Sequence, residues 1–254
     1  MEFSAVLRPA SLLLGACLLV AAAGSAHASA LHALSDLYVL IAETSMITAD
    51  QEPDAHAARA QETQRRLDGT LPPAVQALAG DDPQREAELL GQWQEVKNAY
   101  AGKPFAVAFR ENSYDIAATA RYTSGANALL QALDPAATAE AKQSPVSTVR
   151  LRALKTIVSY LQISTGIVGG TAFSANDADN DIPAGVAAVD KGLAELQQQY
   201  QGKPEMAALQ RARTRWQFLR PTLLKTSGQS TPYIVYAHGL KVVAALAELD
   251  PAAR

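Results

Sequence analysis

Apolar residues recur with helical spacing along most of this 254-residue chain. In the first clear segment, from Leu31 to Asp50, they fall at intervals of three and four residues with no Gly or Pro between them. Such spacing places one apolar stripe along a helix. No stretch alternates with period two over a convincing length, as a half-buried strand would. The pattern therefore predicts an all-α protein.

A second segment, from Leu151 to Gly170, repeats the first after a shift of roughly 120 positions. Further matches follow in the same order, with only small gaps between them. They pair Asp68 with Asp190, Gly80 with Gly202, Trp93 with Trp216, and Leu133-Asp134-Pro135 with Leu249-Asp250-Pro251. Because chance rarely keeps such an order, we predict an internal duplication. The expected architecture is two tandem antiparallel helical bundles, at residues 29–135 and 149–254, joined by a linker at residues 136–148.

Gly and Pro residues are expected to divide the helices of both repeats. Gly69 and Pro72-Pro73 should interrupt the second helix, Asp134-Pro135 should stop the fourth, and Pro221 should break the seventh. The fourth helix has a side of small residues that predicts close packing, namely Ala117, Ala120, Ser124 and Ala128.

Large apolar side chains indicate which faces form the bundle cores. The matched Trp93 and Trp216 lie at helical spacing among apolar neighbours, so we assign both to the cores. The last helix should face its core with one stripe, formed by Tyr233, Tyr236, Leu240, Val243 and Leu246.

The N-terminus has the features of a secretory signal peptide, which we assign to residues 1–28. Arg8 precedes an apolar run that is short for a membrane span and ends in Ala26-His27-Ala28, so cleavage is expected near Ala28. The alternative is a lipobox that makes Cys17 a lipidated N-terminus, but the apolar run continues past this cysteine. The mature protein is therefore expected in the periplasm or outside the cell, with no integral membrane segment.

Composition excludes several classes of function. A formal net charge of -3 gives no footprint for nucleic acid. The single cysteine would leave with the signal peptide, which excludes disulfides and thiolate metal sites. The remaining histidines, His32, His56 and His238, show no HExxH-type pairing, and no nucleophile elbow or dinucleotide fingerprint is found. We therefore predict no cofactor and no catalytic residue.

An acidic loop offers oxygen ligands at alternate positions, Asp177, Asp179 and Asp181. A calcium loop that begins at Asp177 would need its turn glycine where Ile182 stands and its bidentate glutamate where Ala188 stands. Two interpretations stay open. One is a metal site formed by the three aspartates, and the other is a solvated loop in which Asp181 favours the start of the next helix.

Polar residues also recur inside the apolar first helices of the two repeats. Glu43, Thr44 and Ser45 in the first repeat match Gln162, Ser164 and Thr165 in the second. Ser and Thr can bond back to the helix carbonyl one turn earlier, which is the structural interpretation. The functional interpretation is a small polar pocket between helices in each repeat, with these six residues binding a ligand.

Tandem periplasmic four-helix modules of this size resemble the sensing region of PilJ-type chemoreceptors, the transducer N-terminal family associated with type IV pili. The resemblance is one of layout and covers both repeats. The Gln-Arg-Met-Leu-Ser-Gln-Arg type motif of many such modules is replaced here by SDLYVLIAETS and KTIVSYLQIST. The resemblance implies a helical module that binds something and passes it on, and it transfers no functional residue.

These patterns favour an exported non-enzymatic binding or interaction protein, of which a sensor-like accessory of the cell envelope is one form. Its partner would be a protein or a small molecule of the envelope. The alternative is a periplasmic small-molecule or metal-handling protein that uses an inter-helix pocket or the acidic loop.

Overall fold

The computed structural model describes residues 12–49, 53–100, 116–165, 181–225 and 231–250, with side chains described from Ala30 onward except at residues 48 and 116. Within these ranges the chain forms α-helices and no strand, so the predicted all-α class is confirmed for them. The helices are α1 Leu12–Ala49, α2 Pro53–Ala79, α3 Pro83–Ala99, α4 Ile116–Ala141, α5 Pro145–Thr165, α6 Ile182–Gln199, α7 Met206–Leu224 and α8 Pro232–Ala247.

The first four described helices and the last four pack in corresponding orders. Helix α1 packs against α2 and α4, and α3 also packs against α2 and α4. In the same way, α5 packs against α6 and α8, and α7 also packs against α6 and α8. The two groups of helices meet through α1, α4, α5 and α8, and the contact of α1 with α5 is the most extensive between them.

Helix α1 lies at the centre of this packing. By length and composition its segment Ala30–Ile47, with a mean hydropathy of 1.2, is apolar enough to cross a membrane, and 78% of it is buried inside the protein. Contacts with α2, α4, α5 and α8 surround it with protein on several sides. A helix buried on most of its circumference is expected to be apolar nearly all round.

The two tryptophans lie in the core, as predicted. Trp93 is 3% exposed and Trp216 is 1% exposed. Each belongs to the third helix of its group, α3 or α7, and joins the contiguous cluster of buried apolar side chains.

Prolines that were expected to end or interrupt helices lie inside them instead. Helix α2 runs through Pro72 and Pro73, α4 through Pro135 and α7 through Pro221. A proline inside a helix removes one backbone hydrogen bond and costs about 3 kcal/mol. The buried apolar residues around it offset this cost. In α2 these are Leu67, Leu71, Ala74 and Val75, all fully buried.

The position of these prolines also limits their cost. Pro73, Pro135 and Pro221 are exposed and Pro72 is half-buried, so they lie toward the outside of the bundle. Water can reach carbonyl groups on that side. Because α4 continues to Ala141 and α5 begins at Pro145, most of the linker expected at residues 136–148 is helical.

The small residues of α4 do not form the predicted close contact, because Ala117, Ala120 and Ser124 are exposed. The close approach is at Gly125, where an added Cβ would lie 2.7 Å from the backbone oxygen of Gln92 on α3. The buried face of α4 is set by its larger apolar residues, and Gly125 lies on that face.

Helix α8 also presents a different face to the core. Its buried residues are Val235, Tyr236, Gly239, Val242, Ala245 and Leu246. Tyr233 is 60% exposed, and Leu240 and Val243 are half-buried. Helix α8 is apolar on two sides, so the predicted stripe mixed its core face with its outer face.

Candidate functional site

Glu43 on α1 is a buried carboxylate at the centre of a polar cluster. It is 2% exposed and lies where α1 meets both α2 and α8. Tyr236 of α8 donates its hydroxyl to Glu43 Oε1. Arg59 of α2 donates from Nε to both carboxylate oxygens, at 3.3 and 3.2 Å. Three helices from both groups therefore meet on one carboxylate.

His56 supplies a further contact to this carboxylate. Its Nδ1 lies 2.8 Å from Glu43 Oε2 and 2.7 Å from Arg59 Nη2. A ring nitrogen carries either a proton or a lone pair, so Nδ1 cannot donate to Glu43 and accept from Arg59 at once. Donation from Nδ1 to Glu43 is favoured, because burial of a carboxylate is costly unless hydrogen-bond donors replace the lost water. Each terminal nitrogen of Arg59 carries two N–H groups, so the guanidinium keeps hydrogen-bonding capacity for another acceptor with either tautomer of His56.

Tyr236 connects the cluster to the surface. Burial raises the pKa of its phenol, and the nearby Glu43 carboxylate raises it further, so the hydroxyl stays protonated and donates. The same hydroxyl accepts from Arg59 Nε at 3.1 Å. Burial alone would lower the pKa of Arg59, but attraction by Glu43 and Tyr236 raises it. Around Glu43 the cluster therefore holds a phenol that stays protonated and a guanidinium that stays charged.

Aromatic contacts fix the orientation of the cluster. The rings of His56 and Tyr236 meet edge to face with centroids 4.9 Å apart. Arg59 Cζ lies 5.7 Å from the centroid of the Tyr236 ring. A cation over an aromatic face is stabilised by the ring quadrupole.

A groove of about 420 Å³ lies over this cluster, between α2 and α8. It is larger than the grooves at α5 with α6 (about 280 Å³) and at α6 with α7 (about 260 Å³). Its described lining consists of Ala55, His56, Arg59, Tyr233, Tyr236, Ala237, Leu240, Lys241 and Ala244. On α8 these residues follow one another at helical spacing, so one face of the helix forms the groove wall.

Thr44 and Ser45 are buried, and each donates to a backbone carbonyl of its own helix. Thr44 donates to the carbonyl of Leu40 at 2.8 Å and also contacts the hydroxyls of Tyr100 and Tyr122. Burial raises the pKa of Tyr100 well above its ordinary value. Ser45 donates to the carbonyl of Ile41 at 2.9 Å. These contacts agree with the structural interpretation of both residues.

Among the described residues, the matching residues of the second half do not form a corresponding polar cluster. Ser164 donates to the carbonyl of Leu161 at 3.1 Å, and Thr165 donates to the carbonyl of Gln162 at 3.5 Å. Gln162 is 1% exposed, and its amide has no hydrogen-bond partner within the described residues. The structure thus brings Glu43 to the groove cluster, whereas the described hydrogen bonds of Thr44, Ser164 and Thr165 lie elsewhere.

The acidic loop is described only at its end. Asp177 and Asp179 lie outside the described residues. Asp181 is the N-cap of α6, where its Oδ1 accepts from the backbone N–H of Ala184 at 2.9 Å. Over the described ranges, no three His, Cys, Asp or Glu side chains are grouped as a metal ion would need.

Sequence reasoning missed His56, Arg59 and the outer face of α8. His56 belongs to no metal-binding motif, and Arg59 lies in a polar stretch that predicts a solvated helix face. One signal was present, because α8 is apolar on more than one side. An apolar second face on a surface helix indicates that something packs against it.

Comparisons with known proteins add no identification to this geometry. No family model, no curated protein and no solved structure matches the chain.

Proposed function

We propose that this chain is an exported, non-enzymatic binding protein of the cell envelope, and that its ligand lies in the groove between α2 and α8. The observation that carries the proposal is the buried Glu43 cluster under that groove. Burial of an ion pair costs several kcal/mol of desolvation per ion, and apolar residues of similar volume are often as stable. Buried polar groups that converge under a concave, mostly apolar surface are typical of ligand sites.

The cluster also lies between the two groups of helices. Glu43, His56 and Arg59 come from α1 and α2, and Tyr236 comes from α8. A ligand in the groove would touch both groups at once. This arrangement suits a protein that passes a binding event on, as the resemblance to PilJ-type sensing modules implies.

We further propose that the two groups are tandem bundles that arose by duplication. Three observations support this. The helices of both groups pack in the same cyclic order. The matched Gly80 and Gly202 both have positive φ, 57° and 77°, which favours glycine. The matched Trp93 and Trp216 each donate to the matched aspartate of their own group.

Export with cleavage near Ala28 is supported by the burial of the residues that would follow the cleavage site. Ala30 is 3% exposed and Leu31 is 5% exposed, so both would belong to the packed core of the mature protein. The backbone N–H of Leu31 donates to Glu140 Oε2 at 3.2 Å. After cleavage this N–H would belong to the first helical turn, where a carboxylate compensates unpaired N–H groups and the helix dipole.

Native mass spectrometry of the protein purified from the envelope of its own cells tests the proposed function. We expect a bound small molecule on the wild type and its loss from Ala244→Trp, which fills the groove. Ala87→Trp is the matched control, because Ala87 is an exposed alanine on α3 away from the groove. A bound molecule that survives Ala244→Trp, or a wild type that carries none, would contradict the proposal.

A further inference from the structure

We infer that the groove between α2 and α8 binds a small organic anion, with its charged group held by Arg59 and Lys241 and its apolar body against α8. This inference rests on the proposed function and names the ligand class for the same site.

The charge of the groove favours an anion. Arg59 and Lys241 are the charged residues in its described lining, and both are positive. The Glu43 carboxylate lies beneath the groove and is already contacted by His56, Arg59 and Tyr236. Its negative charge is therefore compensated within the protein, and Lys241 leaves an excess of positive charge at the groove surface.

The guanidinium of Arg59 can bind a ligand in the groove while it stays bound to Glu43 and Tyr236. Its Nε–H is directed to Glu43 and Tyr236, which fixes the plane of the group. Its side chain is 47% exposed, so part of the guanidinium faces solvent. Because each terminal nitrogen carries two N–H groups, Arg59 can bind a planar carboxylate or a phosphate in bidentate fashion.

The rest of the lining suits an apolar ligand body. Ala237, Leu240 and Ala244 form an aliphatic wall along α8, and the ring of Tyr233 is 60% exposed at one end. Lys241 follows Tyr236 by five residues, which is about 7.5 Å along the helix at 1.5 Å per residue. The aliphatic stem of Lys241 can lie along this wall with its ammonium near the anionic group that Arg59 binds.

Isothermal titration with four probes tests the ligand class. Benzoate, benzamide and benzamidinium share a ring and differ in charge, and inorganic phosphate has charge without an apolar body. We expect benzoate to bind more tightly than the other three, with an affinity that falls as salt is added. We also expect backbone amide NMR shifts on addition of benzoate to lie in α2 and α8.

Variants of Lys241 and Arg59 test whether these two cations cause the preference for benzoate. Lys241→Gln should weaken benzoate binding about three- to tenfold, and Arg59→Gln should weaken it more, because it also provides the bidentate contact. Arg85→Gln, an exposed cation on α3, should leave the affinity unchanged. Lys241 is exposed and has no role in the buried cluster, so its variant stays informative if Arg59→Gln unfolds.

The outcomes separate the inference from the function on which it rests. Equal or tighter binding of benzamide or benzamidinium in the groove would overturn the anion class and leave a ligand-binding groove. Benzoate affinity that is unchanged in Lys241→Gln and Arg59→Gln would also overturn it. If none of the four probes binds, the inference fails, and the mass spectrometry of the envelope protein then decides the proposed function by itself.

Discussion

Trp216 donates its indole N–H to Asp190 Oδ1 across a distance of 2.8 Å. Trp93 donates to Asp68 Oδ1 in the same way at 2.9 Å. In both cases a cation four residues after the tryptophan reaches the same aspartate. Lys97 Nζ lies 2.9 Å from Asp68 Oδ1, and Arg220 Nε lies 2.7 Å from Asp190 Oδ2. The same arrangement therefore occurs in two separate helix pairs. An aspartate on one helix accepts from a tryptophan and from a cation that follows the tryptophan by one turn on the other helix.

The two tryptophans should be major contributors to stability. Trp93→Ala and Trp216→Ala should each lower the free energy of unfolding by about 3 to 5 kcal/mol, through lost burial and the cavity that remains. Phe218→Ala on α7 is the control, because Phe218 is 55% exposed and should cost less than about 1 kcal/mol. Urea denaturation measures all three. Tryptophan variants as stable as the control would show that the indoles are not core residues.

The contacts of Asp68 predict a stability that depends on pH. Burial of Asp68 raises its pKa, but hydrogen bonds from Trp93 and Lys97 outweigh this effect and lower the pKa below its ordinary value. The stabilisation is therefore complete above the unfolded-state pKa of about 3.9 and is lost as the pH falls through the folded-state value. We expect Asp68→Asn to be less stable than the wild type at pH 6 and the difference to shrink toward pH 3. A constant difference in urea midpoint over this range would refute the assignment.

Most of the predictions about the fold came from the matched residues that recur in the same order in the two halves of the sequence. The helical class and the burial of both tryptophans follow from spacing that any apolar core imposes. Helix ends were predicted less well. A proline is expected to end a helix because it removes a backbone hydrogen bond and destabilises the helix locally. Tertiary packing outweighs that cost in the helices that contain Pro72, Pro73, Pro135 and Pro221.

The candidate site was predicted at one residue only. Glu43 was predicted as one of the polar residues that recur inside the apolar first helices of the two repeats. His56 and Arg59 lie 13 and 16 residues away from it, and Tyr236 lies 193 residues away. No local pattern indicates that these side chains meet, because the packing of α8 against α1 brings Tyr236 there. Local spacing also cannot show which of two apolar faces of a helix is covered. The prediction therefore assigned Tyr233 and Leu240, on the face of α8 that lines the groove, to the core.

Glu43 should be needed for the stability of the contact between α1, α2 and α8. Glu43→Ala removes the acceptor for Tyr236, Arg59 and His56 and should cost about 3 kcal/mol or more. Glu88→Ala on the exposed side of α3 should change the free energy of unfolding by less than about 0.5 kcal/mol. Chemical denaturation of both variants measures this. Equal stability of the two would mean that the cluster contributes nothing to folding.

The close approach of α3 and α4 predicts opposite effects for two glycines. In Gly125→Ala the new Cβ would lie 2.7 Å from the Gln92 backbone oxygen and 2.9 Å from Val96 Cγ2, so the helices must move apart. Such overpacking typically costs about 1 to 3 kcal/mol. In Gly91→Ala nothing lies within 4 Å of the new atom, and the variant should gain up to about 1 kcal/mol. Thermal melts of both variants provide the comparison, and a Gly125→Ala variant that melts higher than the wild type would contradict this packing.

A crystal structure of the protein isolated from its own cell envelope, with no ligand added, shows whether the groove holds a ligand. We expect electron density for a small non-protein molecule in the groove between α2 and α8, within hydrogen-bonding distance of Arg59 and Lys241. Density for such a molecule at another place in the protein, with the groove between α2 and α8 empty, would contradict this expectation.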